Sequence, residues 1–301
     1  MTILEHGKAI CYSGYRDGQN PQGIIPSKDE IKEDLEILLK DGYRYLRMYD
    51  PNEHAIRVLE VIRENKYPMQ CMIGVDHLPE INNPESAEGK QERSEEELAA
   101  NKVRNDAEFE KLIALAKQYP KEIFSLSIGN ENTPDWGTRN VPVERLICHA
   151  KRLKEAVDTP ITYCEGFFEW DKLEEIEKLV DFVSVHSYPL HYGTPIDDAL
   201  AVNKQQFMEI CTMYPDKQII FTELGWSSLA RDEIKKDGAT LENQRRYIEE
   251  LSAWLEEDRI IGFLFEAFDE NWKGPHEDSC ERHWGLYYAD RTPKPAAMVN
   301  K

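Results

Sequence analysis

Eight apolar runs of strand length recur along this chain, near residues 8 to 12, 43 to 49, 69 to 75, 123 to 128, 160 to 164, 181 to 187, 218 to 223 and 260 to 266. Segments of helical periodicity lie between them, and that alternation is the pattern of a parallel sheet with helical crossovers. Eight such units can close on themselves. The expected fold is therefore α/β, a single (β/α)8 TIM barrel over residues 1–301. Length permits this, since 301 residues suit one barrel, and no linker, internal repeat or low-complexity tract divides them.

The intervening segments carry their own helix signals. Ser27 with Glu30 and Ser94 with Glu97 have capping-box spacing, and Pro142 suits the first helical position before Leu146, Ile147, Ala150 and Leu153. Tyr247, Leu251, Trp254 and Leu255 make an apolar stripe that belongs to the outer layer of the barrel. Two connections are too long for simple turns: residues 76 to 93, rich in Glu, Asn and Pro, and residues 269 to 292. Both follow strands, the third and the eighth, so both belong on the carboxyl-end face where barrel sites are built.

Composition excludes partners more than it names them. A formal charge of −20 repels phosphate backbones, and Lys and Arg are nowhere clustered as nucleic acid or an anionic membrane would require. A neutral ligand such as a polysaccharide is compatible with that balance. Cys11, Cys71, Cys148, Cys164, Cys211 and Cys280 are scattered without CxxC spacing and read as small buried hydrophobes. No basic region, apolar stretch and small-residue cleavage site open the chain, and no apolar run reaches membrane-spanning length. The chain as it stands reads as cytoplasmic, or as secreted or periplasmic after loss of a signal.

Two short segments carry the chemistry. In Ile128-Gly129-Asn130-Glu131-Asn132 and in Phe221-Thr222-Glu223-Leu224-Gly225-Trp226, a glutamate stands where an apolar run stops. A carboxyl at the end of such a strand is poorly solvated and needs a reason to be there. Two of them, on the fourth and seventh strands, can meet at the mouth of one barrel. A retaining glycosidase needs such a pair about 5 Å apart, one protonated and one ionised. Glu131 is then the general acid/base, kept protonated by its carboxylate neighbour and partial burial, and Glu223 the nucleophile held by donors. Gly129 permits a sharp departure from the strand, and the Asn130 amide would bind a sugar 2-hydroxyl. Tyr188, ending the sixth strand, is a candidate donor to Glu223, and Trp226 a candidate platform for a pyranose face.

These segments resemble glycoside hydrolase family 17, the β-1,3-glucan-active branch of the clan of barrel glycosidases. The matching stretches are Leu46-Arg47-Met48-Tyr49-Asp50-Pro51-Asn52, the two glutamate segments, Phe265-Glu266-Ala267-Phe268-Asp269-Glu270-Asn271-Trp272-Lys273 and Glu281-Arg282-His283-Trp284-Gly285-Leu286. The resemblance implies Glu131 as acid/base and Glu223 as nucleophile. Glu270, Lys273 and Glu281 would form an accessory polar group, and Tyr49, Asp50, Glu266 and Trp272 lie in the matched stretches. It implies β-1,3-glucan or its oligosaccharides as partner and no cofactor. The acidic segment after the third strand has no counterpart in the family.

Three other readings stand beside retaining hydrolysis. A glucanosyltransferase uses the same covalent intermediate, with a sugar hydroxyl in place of water, and Trp136, Trp226, Trp272 and Trp284 would set its acceptor affinity. A non-catalytic carbohydrate-binding barrel keeps fold without reaction. A metal-dependent hydrolase would draw on His54, His77, His186, His191, Asp50 and Asp76, but neither His-x-His on the first strand nor His-Glu-x-x-His occurs, so no metal is expected.

Overall fold

The computed structural model describes residues 3–86, 92–231 and 238–299. All eight apolar runs are strands: β1 (Lys8–Cys11), β2 (Tyr43–Met48), β3 (Gln70–Ile73), β4 (Ile123–Asn130), β5 (Ile161–Gly166), β6 (Val183–Ser187), β7 (Ile219–Leu224) and β8 (Gly262–Leu264). Each pairs in parallel with its sequence neighbours, and β8 closes on β1 with Phe263 opposite Ala9. The expected (β/α)8 TIM barrel is the fold observed. β8 is shorter than its apolar run, and β4 runs two residues further, through Gly129 and Asn130.

The helices are α1 (Lys28–Lys40), α2 (Glu53–Asn65), α3 (Glu95–Gln118), α4 (Val143–Ala156), α5 (Glu174–Glu177), α6 (Ile196–Met213), α7 (Leu241–Glu257) and α8 (Pro295–Val299). Both capping boxes form, at Ser27 with Glu30 and at Ser94 with Glu97, each N-cap contributing about 1 kcal/mol. Pro142 departs from expectation. It is the N-cap of α4 with extended ψ of 138°, and the helix begins at Val143.

Packing has two layers. Inside the barrel Cys11, Met72, Cys164, Ile220 and Phe263 form one cluster, and outside it the helices bury Leu35, Val58, Phe109, Leu146 and Leu251 against the strands. The α7 stripe of Tyr247, Leu251, Trp254 and Leu255 is buried as expected. The cysteines correct the uniform reading. Cys11, Cys71, Cys164 and Cys280 are buried, but Cys148 is exposed and Cys211 half-buried, and all six are free. Cys148 faces water because the period of α4 turns Leu146, His149, Ala150 and Leu153 inward.

Both long connections rise from strand carboxyl ends. The first spans 74–94, with 87–91 outside the described residues. The second spans 265–294 and includes a short 3-10 turn at Cys280–Arg282 and a bridge from Phe268 to Tyr287. Among the described residues, no helix is long and apolar enough to cross a membrane.

Candidate active site

A cleft of about 870 Å³ opens on the carboxyl-end face, lined by Glu131 and Glu223 together with side chains from the loops after β1 to β6 and β8. Glu223 is the penultimate residue of β7 and is 6% exposed. A carboxylate so buried survives only if its charge is met, and it is met from two neighbouring directions. From β2, the buried Arg47 guanidinium pairs with Glu223 Oε1, and Tyr49 Oη donates to the same oxygen at 2.9 Å. From the end of β6, Tyr188 Oη donates to Oε2. Burial alone would raise this carboxyl; the charges of His186 and Arg47 and the two tyrosine hydrogen bonds bring it down to about 2. Glu223 is therefore ionised at neutral pH.

Glu131 is held differently. It follows β4 in left-handed conformation, φ 48°, and its side chain remains half-exposed. Gly129 does not supply the sharp departure expected of it, since it stays within the strand. Its missing side chain serves close approach instead, because a Cβ there would meet Asn132 Oδ1 at 2.5 Å. Asn132 Oδ1 accepts from Asn130 N at 2.9 Å, which folds the chain back just after Glu131. Glu131 N continues the sheet by donating to Cys164 O at 3.0 Å.

His186, on β6, stands between the two acids. Its Nδ1 lies 2.7 Å from Glu131 Oε1 and 3.7 Å from Glu223 Oε2. One oxygen of each glutamate and a ring nitrogen of His186 all fall within 4.8 Å of one another. Burial disfavours a charged imidazole, but Glu223, Cys164 and Glu131 overcome it and raise the ring to about 10. His186 thus lies between the two carboxyls that the sequence placed side by side.

Most expected residues converge on the cleft. Asn130, Tyr49, Asp50, Tyr188, Trp272, Lys273 and Glu281 all line it. Asn130 Oδ1 accepts from Arg47 Nη2; arginine only donates, so this contact fixes the amide and leaves its NH₂ for a ligand. Asp50 accepts from Asp76 N at 3.0 Å, and burial and the charge of Asp76 push its carboxyl up to about 7.

Three expected residues do not line the cleft. Trp226 is core, 1% exposed, with Nε1 donating to Gly238 O at 2.9 Å and its ring against Tyr247. It cannot be a sugar platform, because the loop after β7 turns it toward Tyr247 of α7. Glu266 and Glu270 are buried behind the wall, where Lys273 pairs with both of them. Of the other tryptophans, Trp284 is buried at the cleft floor, while Trp272 and Trp136 stand at opposite rims.

Trp136 rests on the segment after β3 that had no family counterpart. Asn83 Nδ2 donates to Asp135 O and Gly137 O, Ser86 Oγ to Trp136 O, and Glu80 N to Asn140 O. Phe168 and Tyr192, also exposed, line the cleft nearby on the loops after β5 and β6.

Of the residues of the metal reading, His54, His186, His191, Asp50 and Asp76 line the cleft, but among the described residues these histidines and aspartates do not by themselves converge on one ligand cluster. Among the described residues, the three acid or histidine donors that do are Glu131, His186 and Glu223, and both glutamates are already engaged by arginine, tyrosine or histidine. Sequence reasoning did not single out Arg47, whose guanidinium pairs with Glu223, or Glu165, buried near the end of β5. Each is a charged residue inside or ending an apolar strand, the same signal that singled out Glu223.

Residues 9–285 match the BtgE/BtgC glycoside hydrolase domain. The chain belongs to this family. A probable glucan endo-1,3-beta-glucosidase btgC of Aspergillus fumigatus is 26% identical over 163 residues, covering 48% of this chain and 23% of that protein. The glucan 1,3-beta-glucosidase of Arthroderma benhamiae is 28% identical over 144 residues, covering 42% of this chain and 46% of the relative. The match thus spans less than half the length of either relative of this BtgE/BtgC-type domain. Among solved structures, an endo-laminarinase from Formosa superimposes with a TM-score of 0.79 at 24% identity, covering 94% of this chain and 84% of that one. A β-1,3-glucanosyltransferase from Rhizomucor miehei does so at 0.74 and 20%, covering 96% of each. At these identities the fold is what is shared.

Proposed function

We propose that this BtgE/BtgC-type barrel is a retaining glycoside hydrolase of the family 17 kind, acting on β-1,3-glucan or β-1,3-gluco-oligosaccharides. The observation that carries the mechanism is the pair of glutamates with carboxylate oxygens within 4.8 Å of each other, one locked as a carboxylate and one partly exposed against His186. Such a separation leaves no room for a water between them, so the second carboxylate attacks the sugar itself. The β-1,3-glucan assignment draws support from the endo-1,3-beta-glucosidase and endo-laminarinase activities named for a relative and a structural neighbour.

In the first step Glu223 bonds to the anomeric carbon while Glu131 gives its proton to the departing oxygen. Arg47, Tyr49 and Tyr188 hold the nucleophile in line, and the Asn130 NH₂ offers a donor to the sugar. In the second step Glu131 takes a proton from water, the water oxygen bonds to the anomeric carbon, and Glu223 leaves as a carboxylate. His186 keeps the proton in reach. Moving it along the 2.7 Å contact interconverts imidazolium with carboxylate and neutral ring with carboxylic acid, without exchange with solvent. Transfer to a sugar hydroxyl uses the same intermediate, and the exposed aromatic rim beside Glu131 favours acceptors.

Product analysis tests this. Wild type incubated with laminari-oligosaccharides of defined length is expected to yield shorter products, plus longer ones where transfer competes, and Glu223→Gln neither. Absence of both from wild type would overturn the substrate assignment.

A further inference from the structure

Next to Glu131, near the end of β5, lies a third carboxyl that the double displacement does not use. Glu165 is fully buried. Its Oε2 accepts from Tyr163 Oη at 2.8 Å, from Thr133 Oγ1 at 2.8 Å and from Thr133 N at 3.4 Å, and its Oε1 accepts from Gly166 N at 2.7 Å. Tyr163 Oη in turn accepts from Asn132 N at 2.9 Å. Both residues that follow Glu131 are thus tied to Glu165, Thr133 directly and Asn132 through the tyrosine. Burial, then the charge of Glu131, push the carboxyl up to about 8. A carboxyl kept where both effects oppose its charge is costly, and the four groups that donate to it account for its place.

The turn they hold is a special one. Glu131 has a left-handed backbone, a conformation that residues with side chains keep only where the surroundings enforce it. Released from that turn, the Glu131 carboxyl would swing off the line to the departing oxygen. We propose that Glu165 is a positioning residue for the acid/base: through Thr133 and Tyr163 it fixes the turn that aims Glu131 at the leaving group. This rests on the assignment of Glu131 as acid/base. Glu165 touches no substrate and transfers no proton to it.

The test separates proton delivery from general damage. Laminarihexaose leaves as a sugar alkoxide that must be protonated, whereas 2,4-dinitrophenyl β-laminaribioside leaves as a stable phenolate that need not be. For Glu165→Ala in the full chain, kcat/KM on laminarihexaose is expected to fall about ten- to a hundredfold, part of what general acid catalysis supplies, and on the dinitrophenyl substrate to stay within about twofold. Glu165→Gln, whose amide oxygen keeps the Tyr163 and Thr133 contacts, is expected to fall between Glu165→Ala and wild type on laminarihexaose. Equal losses on both substrates, or none on either, would overturn the proposal. If Glu165→Ala does not fold, Thr133→Val removes one arm of the clasp on its half-buried side and must give the same split at smaller size. Wild type inert on both substrates would bring down the glycosidase assignment, and this role with it; active wild type with unsplit variants brings down this role alone.

Discussion

Glu223 and Glu131 stand within 4.8 Å of each other, yet their surroundings are opposites. Glu223 sits inside a strand, nearly inaccessible, with an arginine and two tyrosines on its oxygens. Glu131 sits one residue beyond a strand, partly exposed, with its side chain hydrogen-bonded among the described residues to a histidine that can take or return a proton. A nucleophile must present one charge state in one place, and an acid/base must change charge twice per turnover. The environments match the duties proposed for them. Exchanging the two positions between the elements would give a nucleophile that drifts and an acid that cannot be protonated.

If the contrast is real, the largest effect belongs to the fixed member. Glu223→Gln keeps size and shape but removes the attacking charge, so turnover of laminari-oligosaccharides is expected to fall on the order of 10⁴-fold or more. Folding, followed by circular dichroism, is expected to stay intact. Residual activity near wild type would remove Glu223 from the nucleophile role. Glu131→Ala removes the mobile member and is expected to cost about 10² to 10⁴ in kcat on the same substrates. The exposed position then leaves room for a small anion. With a dinitrophenyl leaving group, azide should restore turnover and yield a β-glycosyl azide, and failure of that rescue would count against Glu131.

Arg47→Met attacks the clamp rather than the carboxylate. A preorganised charge partner of this kind is worth on the order of 10²- to 10³-fold in kcat, and leaving a buried carboxylate unpaired costs about 3–5 kcal/mol of stability. Both effects should come with an acid limb of the pH–rate profile moved upward, since the charge that helps depress Glu223 is gone. An unmoved limb would assign the depression to His186 and the tyrosines alone.

The same contrast explains what the sequence could and could not tell. Strand–helix alternation over eight units dictates the barrel, because only closure buries every strand, and Glu223 was legible as a charge ending an apolar strand. Glu131 was legible by the same sign, but its turn was misplaced: Gly129 invited an early departure, whereas the strand runs through Asn130 and the chain folds back after Glu131, with Asn132 on Asn130 N. Arg47, Glu165 and the clasp of Tyr163 and Thr133 depend on which side chains meet inside the closed barrel and at its mouth. That follows from barrel register, which no local pattern encodes. Trp226 failed for a related reason. A tryptophan two residues past a strand end faces cleft or core according to the twist of its loop, and here it faces α7.

His186 links the two environments, so its removal should blur them. The unfolded imidazole titrates near about 6.5, and in the fold its pKa is raised to about 10. Its contribution to stability is therefore complete below about pH 6.5 and is lost as pH rises through about 10. For Glu223 the sign is reversed: a carboxylate lowered to about 2 contributes above its unfolded value of about 4.3 and loses that contribution as pH falls through about 2. The Tm difference between wild type and His186→Gln is expected to be largest near pH 6 and to shrink steadily toward pH 10. A difference independent of pH would mean that the ring is neutral in the fold.

The smallest effect should come at the rims, where the contrast recurs. Trp272, on the loop after β8 and hence beside β7, is half-buried, with Nε1 donating to Glu270 Oε1 at 3.1 Å and Tyr15 against its ring. Trp136, on the loop after β4, is 36% exposed and is steadied through its own carbonyl by Ser86. On the proposed assignment of Glu131 as acid/base, the leaving group departs on its side, where Trp136 lines the cleft and would meet the acceptor. One sugar face on its ring buries enough apolar surface for about 1 kcal/mol, or roughly fivefold. Trp136→Ala should lower the ratio of longer to shorter products from laminarihexaose by that factor, with kcat/KM on the dinitrophenyl substrate little changed, because that leaving group does not need the rim. Loss in the second measurement and not the first would put the donor sugar on Trp136 and reverse the direction assigned to the cleft.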